Sequence, residues 1–455
     1  MQREPGLATY LIFPAIAMSL GWGLRGTIGG GPMGATIPGV MIALAICLLV
    51  RRPGGIAVAA ALGTIGVGLG GQMTYGQTIG FVRNVETEQW GLLGLAVKGA
   101  VWGLSGGVLL GLGLVHEKFT RRQILIALLL MIGGTFLGWA LVNQPKLIYF
   151  SNREKEPRAE IWAGLLFGAI ATTGYLASLR RSNVPTSFAL LGLIFGGLGF
   201  GGGGVFNKFG TGTFKENYQN EGWWKTIDQY VGWWKLMELT FGLLLGLGYG
   251  LAAWIHRKEI AQSDVDVPQP TDQKRSLFGV ETLAAVGLSF VALWLQFHLR
   301  TPATFSILGS LLILIAVYSP RLAWQIAISF TVVAFLRDLG TSLSIKLWAG
   351  VTEDHPAAVT YIWIGAGLVS VAIAVLVDYL ARRERLTAAW GFLFVTWAAV
   401  TVCFLKFFVP LFKNGLRLSE LQDPKFVGLQ SIFISCAIVL TVFAWRLKKA
   451  DAVRA

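Results

Sequence analysis

The stretch Gly91–His116, GLLGLAVKGAVWGLSGGVLLGLGLVH, decides how this chain is read. It is apolar for longer than the roughly 20 residues a helix needs to cross a hydrocarbon core, yet it carries one cation, Lys98, well inside. A second stretch, Val231–His256 (VGWWKLMELTFGLLLGLGYGLAAWIH), aligns with it without gaps. In that alignment His256 falls on His116 and Glu238 on Lys98, and the run LLGLG occurs in both. One copy thus holds a cation where the other holds an anion. The first half of the chain reads as two copies of one unit meeting at these residues.

Composition sets the class. The chain has 455 residues, 54% hydrophobic and 14% charged, with a mean hydropathy of +0.62. A soluble protein carries about 25% charge, so this is an all-α polytopic membrane protein. Its 58 glycines and 17 tryptophans fit, because glycine lets spanning helices approach closely and tryptophan sits at the headgroup level. The formal charge of +14 is spread over short loops and forms no nucleic-acid motif, so no nucleic-acid partner is expected. Cys47, Cys403 and Cys436 lie in apolar runs without CxxC spacing, which supports neither a disulfide framework nor a zinc site. His116, His256, His298 and His355 are dispersed at predicted helix ends, which argues against haem. No metal or cofactor is implied, and no cleavable signal peptide is evident.

Apolar runs predict about fourteen spans. The first eight are Ala8–Leu24, Met33–Val50, Gly55–Gly71, Gly91–Val115, Gln123–Val142, Glu160–Leu179, Thr186–Phe206 and Val231–Ile255. After a polar linker come Leu277–Phe297, Ala303–Tyr318, Leu322–Leu339, Ala357–Leu380, Thr387–Pro410 and Phe426–Trp445. The expected organisation is two parallel four-helix repeats, residues 1–122 and 123–260, a linker over 261–275, and a six-helix bundle of hairpins over 276–455. Further echoes support the repeat: Leu20-Gly21-Trp22 returns as Leu137-Gly138-Trp139, and Gly68-Leu69-Gly70 as Gly197-Leu198-Gly199. Alternate short loops are basic, as at Arg51-Arg52, Arg121-Arg122, Arg180-Arg181, Arg257-Lys258 and Arg382-Arg383. The positive-inside rule puts them in the cytoplasm, with both termini there and the chain in the plasma (inner) membrane of a bacterial-type cell. The last six spans hold few charges and suit a scaffold or an oligomer surface.

Lys98 and Glu238 each lie about 10 Å below the outer surface at about 1.5 Å per residue. A charge at that depth is costly unless paired or hydrated, and is a functional signal by default. Equivalent positions near a pseudo-twofold axis face each other, so Lys98 and Glu238 are expected within ion-pair reach. Glu238 has a local alternative in Lys235. The glycine- and proline-rich Gly21–Gly39 is expected to break or re-enter at the outer face, with Arg25 just below, since glycine costs about 1 kcal/mol and proline about 3 kcal/mol in a helix interior. Backbone N–H groups at such a break, beside an arginine, bind anions. Gly71–Phe81 gathers Gln72, Thr74, Tyr75, Gln77 and Thr78 at membrane depth, where non-helical backbone is tolerated only when buried in protein or lining a cavity. Its expected counterpart is a flexible strip at Gly201–Gly212, carrying Asn207 and Lys208. The Trp-Trp-Lys runs at Trp223 and Trp233 read as interfacial anchors, and Asn217–Tyr230 as a short helix lying on the membrane.

These residues point to transport of a small polar or anionic solute through a cavity between the repeats. The expected contacts are Arg25, Gln72, Tyr75, Gln77, Lys98, Glu238, Asn207 and Lys208, with Glu238 as a proton-coupling carboxylate. Two alternatives stand beside it. One is a membrane-embedded transferase using the outer-loop carboxylates on a lipid-linked or cell-envelope substrate; the other is a structural or assembly subunit. No HExxH and no P-loop spacing is present.

Overall fold

The structure is a computed structural model and describes residues 4–52, 54–152, 160–211, 222–262, 287, 291, 304–343, 356–413 and 423–452. In lipid every backbone polar group must be satisfied within its own segment, so apolar runs of this length become helices. In chain order they are α1 (Leu7–Ile28), α2 (Gly31–Leu49), α3 (Ile56–Gly70), α4 (Gly76–Val82), α5 (Glu88–Leu114), α6 (Arg121–Asn143) and α7 (Trp162–Ser178). Then follow α8 (Val184–Thr211), α9 (Gly222–Tyr230), α10 (Trp233–Ile255), α11 (Arg257–Ala261), α12 (Thr304–Tyr318), α13 (Pro320–Ser342), α14 (Pro356–Arg382), α15 (Ala388–Lys413) and α16 (Pro424–Ala452). Among the described residues, ten helices are long and apolar enough to span a membrane, and Ile56–Gly70 and Thr304–Tyr318 are shorter apolar helices. The expected span Leu277–Phe297 and the linker over 261–275 fall almost wholly outside the described residues.

The centre of the molecule is α2 and α3. Every residue of α2 from Met33 to Leu49 is buried, and so is α3 from Ala57 to Gly70. Such all-round apolar helices belong inside protein, away from lipid. They are enclosed by α1 and α5 and, from the other side, by α12, α13 and α15. At the periphery, few residues of α14 and α16 are fully buried.

Two seams run on glycine. Along α5, Gly99, Gly103 and Gly107 recur every four residues and meet α8 backbone to backbone. A methyl on Gly103 would overlap the carbonyl oxygen of Gly192, and one on Gly192 would overlap that of Gly103. Along α10, Gly242, Gly246 and Gly250 seat against Met18, Pro14 and Tyr10 of α1 in the same way. In lipid this close approach, which gathers dispersion contacts, replaces the hydrophobic effect that water supplies elsewhere.

The chain breaks where glycine frees the backbone, though less widely than the sequence suggests. From Gly21 the helix α1 continues to Ile28; only Gly29 and Gly30 are extended, and α2 starts at Gly31 with φ +70° ahead of Pro32. After α3 the chain turns over Gly71–Tyr75 and enters the short α4. The expected flexible strip at Gly201–Gly212 is corrected: α8 stays helical through Thr211. Its glycines serve packing, with Gly203 against Met237 of α10 and Gly201 against Ala96 of α5.

The two halves share an order of elements, including a short helix before the last long one in each, α4 before α5 and α9 before α10. Their packing differs. The α5–α8 contact is extensive, whereas α10 and α3, its counterparts under a twofold, do not form a comparable pair.

Candidate functional site

One end of the bundle gathers the end of α1, the turn before α4, and the starts of α5, α7 and α10. Arg25, on the last turn of α1, is 2% exposed. Its guanidinium carbon lies 5.4, 5.3 and 5.2 Å from the ring centroids of Trp22, Tyr75 and Trp102. Phe241 and Phe200 complete this box against the tryptophans and Tyr75. Aromatic faces stabilise a desolvated cation by roughly 2 kcal/mol. The enclosure is built by α3 as well, because Gly70 lets the Trp102 ring lie against its Cα, and Trp102 Nε1 donates to the carbonyl of Val67 at 2.8 Å.

From Arg25 a chain of hydrogen bonds leads to an ion pair. Arg25 Nη1 donates to the Tyr75 hydroxyl at 2.5 Å, and that hydroxyl lies 3.3 Å from Glu238 Oε1 as donor. Glu238 is 1% exposed and rests on Gly26, where a methyl would collide with its carboxylate. It accepts from Trp234 Nε1 at 3.1 Å and from Lys235 Nζ at 2.6 Å. Lys235 also donates to the carbonyl of Gly23 at 2.9 Å. One carboxylate therefore has Lys235 as its direct partner and Arg25 one hydroxyl away. Arg25 Nε and Trp22 Nε1 are buried donors without an acceptor among the described residues, an arrangement complementary to an added anion.

Lys98 belongs to a second network, and the expected pairing with Glu238 is corrected. Its ammonium donates to Glu160 Oε1 at 2.8 Å, to Thr78 Oγ1 at 2.7 Å and to the carbonyl of Thr74 at 2.7 Å. Glu160 in turn accepts from the Phe150 N–H at 3.0 Å and the Ser151 hydroxyl at 2.8 Å. An ammonium has three donors and this one uses all three. The local option, Lys235, is the partner Glu238 takes. The reason is packing: α5 faces α8 and α3, so the start of α7 rather than α10 comes to Lys98.

The other expected residues are distributed around these networks. Gln72 donates to Ser306 of α12 at 3.0 Å and so faces the C-terminal helices. Gln77 accepts from the Asn152 N–H at 3.1 Å in the loop above Lys98. Asn207 accepts from Thr211 at 3.0 Å and from Arg83 Nε at 3.4 Å, and Lys208 pairs with Glu88 at 2.8 Å. Arg83 lies 5.9 Å from the Trp234 ring, which joins this group to the rim of the arginine box. Of the residues singled out from sequence, the structure brings Arg25, Tyr75 and Glu238 together; the aromatic walls and Glu160 were not among those singled out. A carboxylate at the head of an apolar run, following a loop, was the available signal for Glu160.

In letters, Gly103-Leu104-Ser105-Gly106-Gly107 fits the spacing of a nucleophile elbow, yet it lies in mid-helix. Ser105 is wholly buried and donates to the carbonyl of Trp102, so the strand-to-helix turn that exposes such a serine is missing here. Among the described residues no group of His, Cys, Asp and Glu is placed to hold a metal ion. Comparison with known protein families, characterised proteins and solved structures returns no match.

Proposed function

We propose that this chain transports a small anionic solute across the plasma membrane, with Arg25 as the group that receives the anion. The observation that carries this reading is a buried guanidinium, in an aromatic box, that uses few of its donors and is one hydroxyl away from the Glu238–Lys235 pair. An arriving carboxylate or phosphate would take the Nη1 donor from Tyr75, in the bidentate geometry that guanidinium favours. Tyr75 stands at the head of α4, so its release couples the site to a short helix. Glu238 is the coupling carboxylate, and movement of α10 along its glycine seam with α1 exchanges access. The finer organisation belongs to the same proposal: two parallel four-helix repeats, about fourteen spans, both termini in the cytoplasm, and an oligomer surface on the C-terminal helices.

Proteoliposomes test it. With phosphate, sulfate and short carboxylates as probes, at least one anion should accumulate. Arg25→Gln should lower its uptake at least tenfold and Arg25→Lys less, because an ammonium keeps the charge but loses the fork. In Glu238→Gln the pH dependence of uptake should flatten. Uptake of every probe at the level of empty liposomes, or full uptake by folded Arg25→Gln, would reject the reading.

A further inference from the structure

The opposite end of the bundle holds a cavity of about 470 Å³, where the start of α1, the α2–α3 turn and the α10–α11 junction come together. Arg51, Arg257 and Lys258 line it as cations and Glu4 as the one carboxylate, beside Tyr10 and Leu49. Arg51 and Arg257 are far apart in the sequence and meet only through packing of α1 against α2 and α10.

Arg257 is held in place by its own helix end, and the turn at Arg51 by the end of α2. The guanidinium of Arg257 lies 3.8 Å from the ring centroid of Trp254 and donates Nη1 to the Trp254 carbonyl at 2.8 Å. Its Nε is buried with no acceptor among the described residues. Arg51 has φ +53° because it closes α2 in the left-handed conformation common just past a helix C-terminus, its N–H donating to the Leu48 carbonyl and that of Arg52 to the Cys47 carbonyl. The neighbouring Arg52, bonded to Glu117 and to the carbonyl of Leu114, anchors that turn. Helix C-termini alone attract cations, and α2 and α10 both end here. They do not call for a cavity between those cations, and Tyr10, whose hydroxyl donates to the Leu49 carbonyl at 3.2 Å, keeps the floor shut.

The geometry points to a binding site for a phosphate-bearing anion between Arg51, Arg257 and Lys258. Two positive charges in excess, guanidinium forks and a partly apolar wall at a membrane face suit an anionic lipid headgroup, and a free phosphate shares the chemistry.

The test uses the whole protein in phosphatidylcholine nanodiscs, with or without phosphatidylglycerol, or with inorganic phosphate added. Lipid retained in native mass spectra and thermal unfolding are the readouts. Preferential retention of phosphatidylglycerol is expected, at least tenfold weaker in Arg257→Gln/Lys258→Gln and several-fold stronger in Glu4→Gln. Stabilisation by inorganic phosphate in phosphatidylcholine, with the same response to the substitutions, supports the site with a soluble ligand. Equal retention of both lipids with no response to phosphate overturns it, as does selectivity unchanged by the substitutions. If the double variant does not fold, Glu4→Gln decides on its own, since Glu4 is exposed: unchanged affinity overturns the site.

Discussion

Lys98 and Glu160 are each 1% exposed in the side chain, and a buried pair behaves differently from either of its members. Removing one partner leaves an uncompensated charge, at a cost of about 3–5 kcal/mol, while neutralising both together is milder. Lys98→Met and Glu160→Gln should each lower the melting temperature sharply in detergent. The double variant should melt above Lys98→Met, because a glutamine in place of Glu160 can still accept from the Phe150 N–H and no charge remains buried. A double variant as unstable as the sum of the single ones would show that the two do not act as a pair. Arg25 differs from Lys98 at this scale. Its box is aromatic and its donors are incompletely used, so losing it should affect solute uptake more than melting.

The elements are held by helix seams, and glycine position decides how much each tolerates. Gly103→Leu forces a side chain into the backbone of α8 at Gly192, and overpacking of this kind costs about 1–3 kcal/mol or more. Gly133, on α6, has nothing near the position of an added methyl. Gly133→Ala should be neutral or stabilise by up to about 1 kcal/mol through helix propensity. Thermal melting of both variants measures this; equal effects would mean that the α5–α8 seam is looser than described. The same contrast explains why the sequence alone predicts a flexible strip where α8 stays helical. Glycines signal freedom of the backbone or closeness of a neighbour, and only the packed α10 and α5 say which.

For the molecule as a whole, the face carrying the short basic loops binds its ends together by charge. Glu259 of α11 accepts from Lys118 at 2.7 Å and from Ser182 at 2.7 Å, linking the α5–α6 and α7–α8 connections. Burial, the largest single influence, opposes its ionisation. The hydrogen bonds from Lys118 and Ser182 and the charges of Lys118 and His256 together outweigh burial and hold the carboxyl below its ordinary value. A depressed carboxyl contributes stability that is complete above the unfolded value and is lost as pH falls through the folded one. Melting temperature should therefore fall as pH drops below about 4.5, the ordinary glutamate range, and Glu259→Gln should flatten that dependence. The effect is modest, since the pair is partly exposed. An unchanged slope in Glu259→Gln would assign the acid sensitivity elsewhere.

The sequence by itself determined the membrane class, nearly all of the helices, and the polar residues worth inspecting at one end of the bundle. Length, apolarity and glycine content are local properties, and a helix in lipid satisfies its backbone locally, so these were legible without contacts. The partners were not. Matching Lys98 with Glu238 assumed that aligned positions meet, but α5 and α10 both pack on α8 and hardly touch each other, which brings Glu160 to Lys98 and leaves Glu238 to Lys235. Which charges neutralise each other, and that Arg25 sits in an aromatic box one hydroxyl from the Glu238–Lys235 pair, depends on how helices pack around α2 and α3. That choice rests on close backbone contacts between residues distant in sequence, and only the tertiary structure makes them.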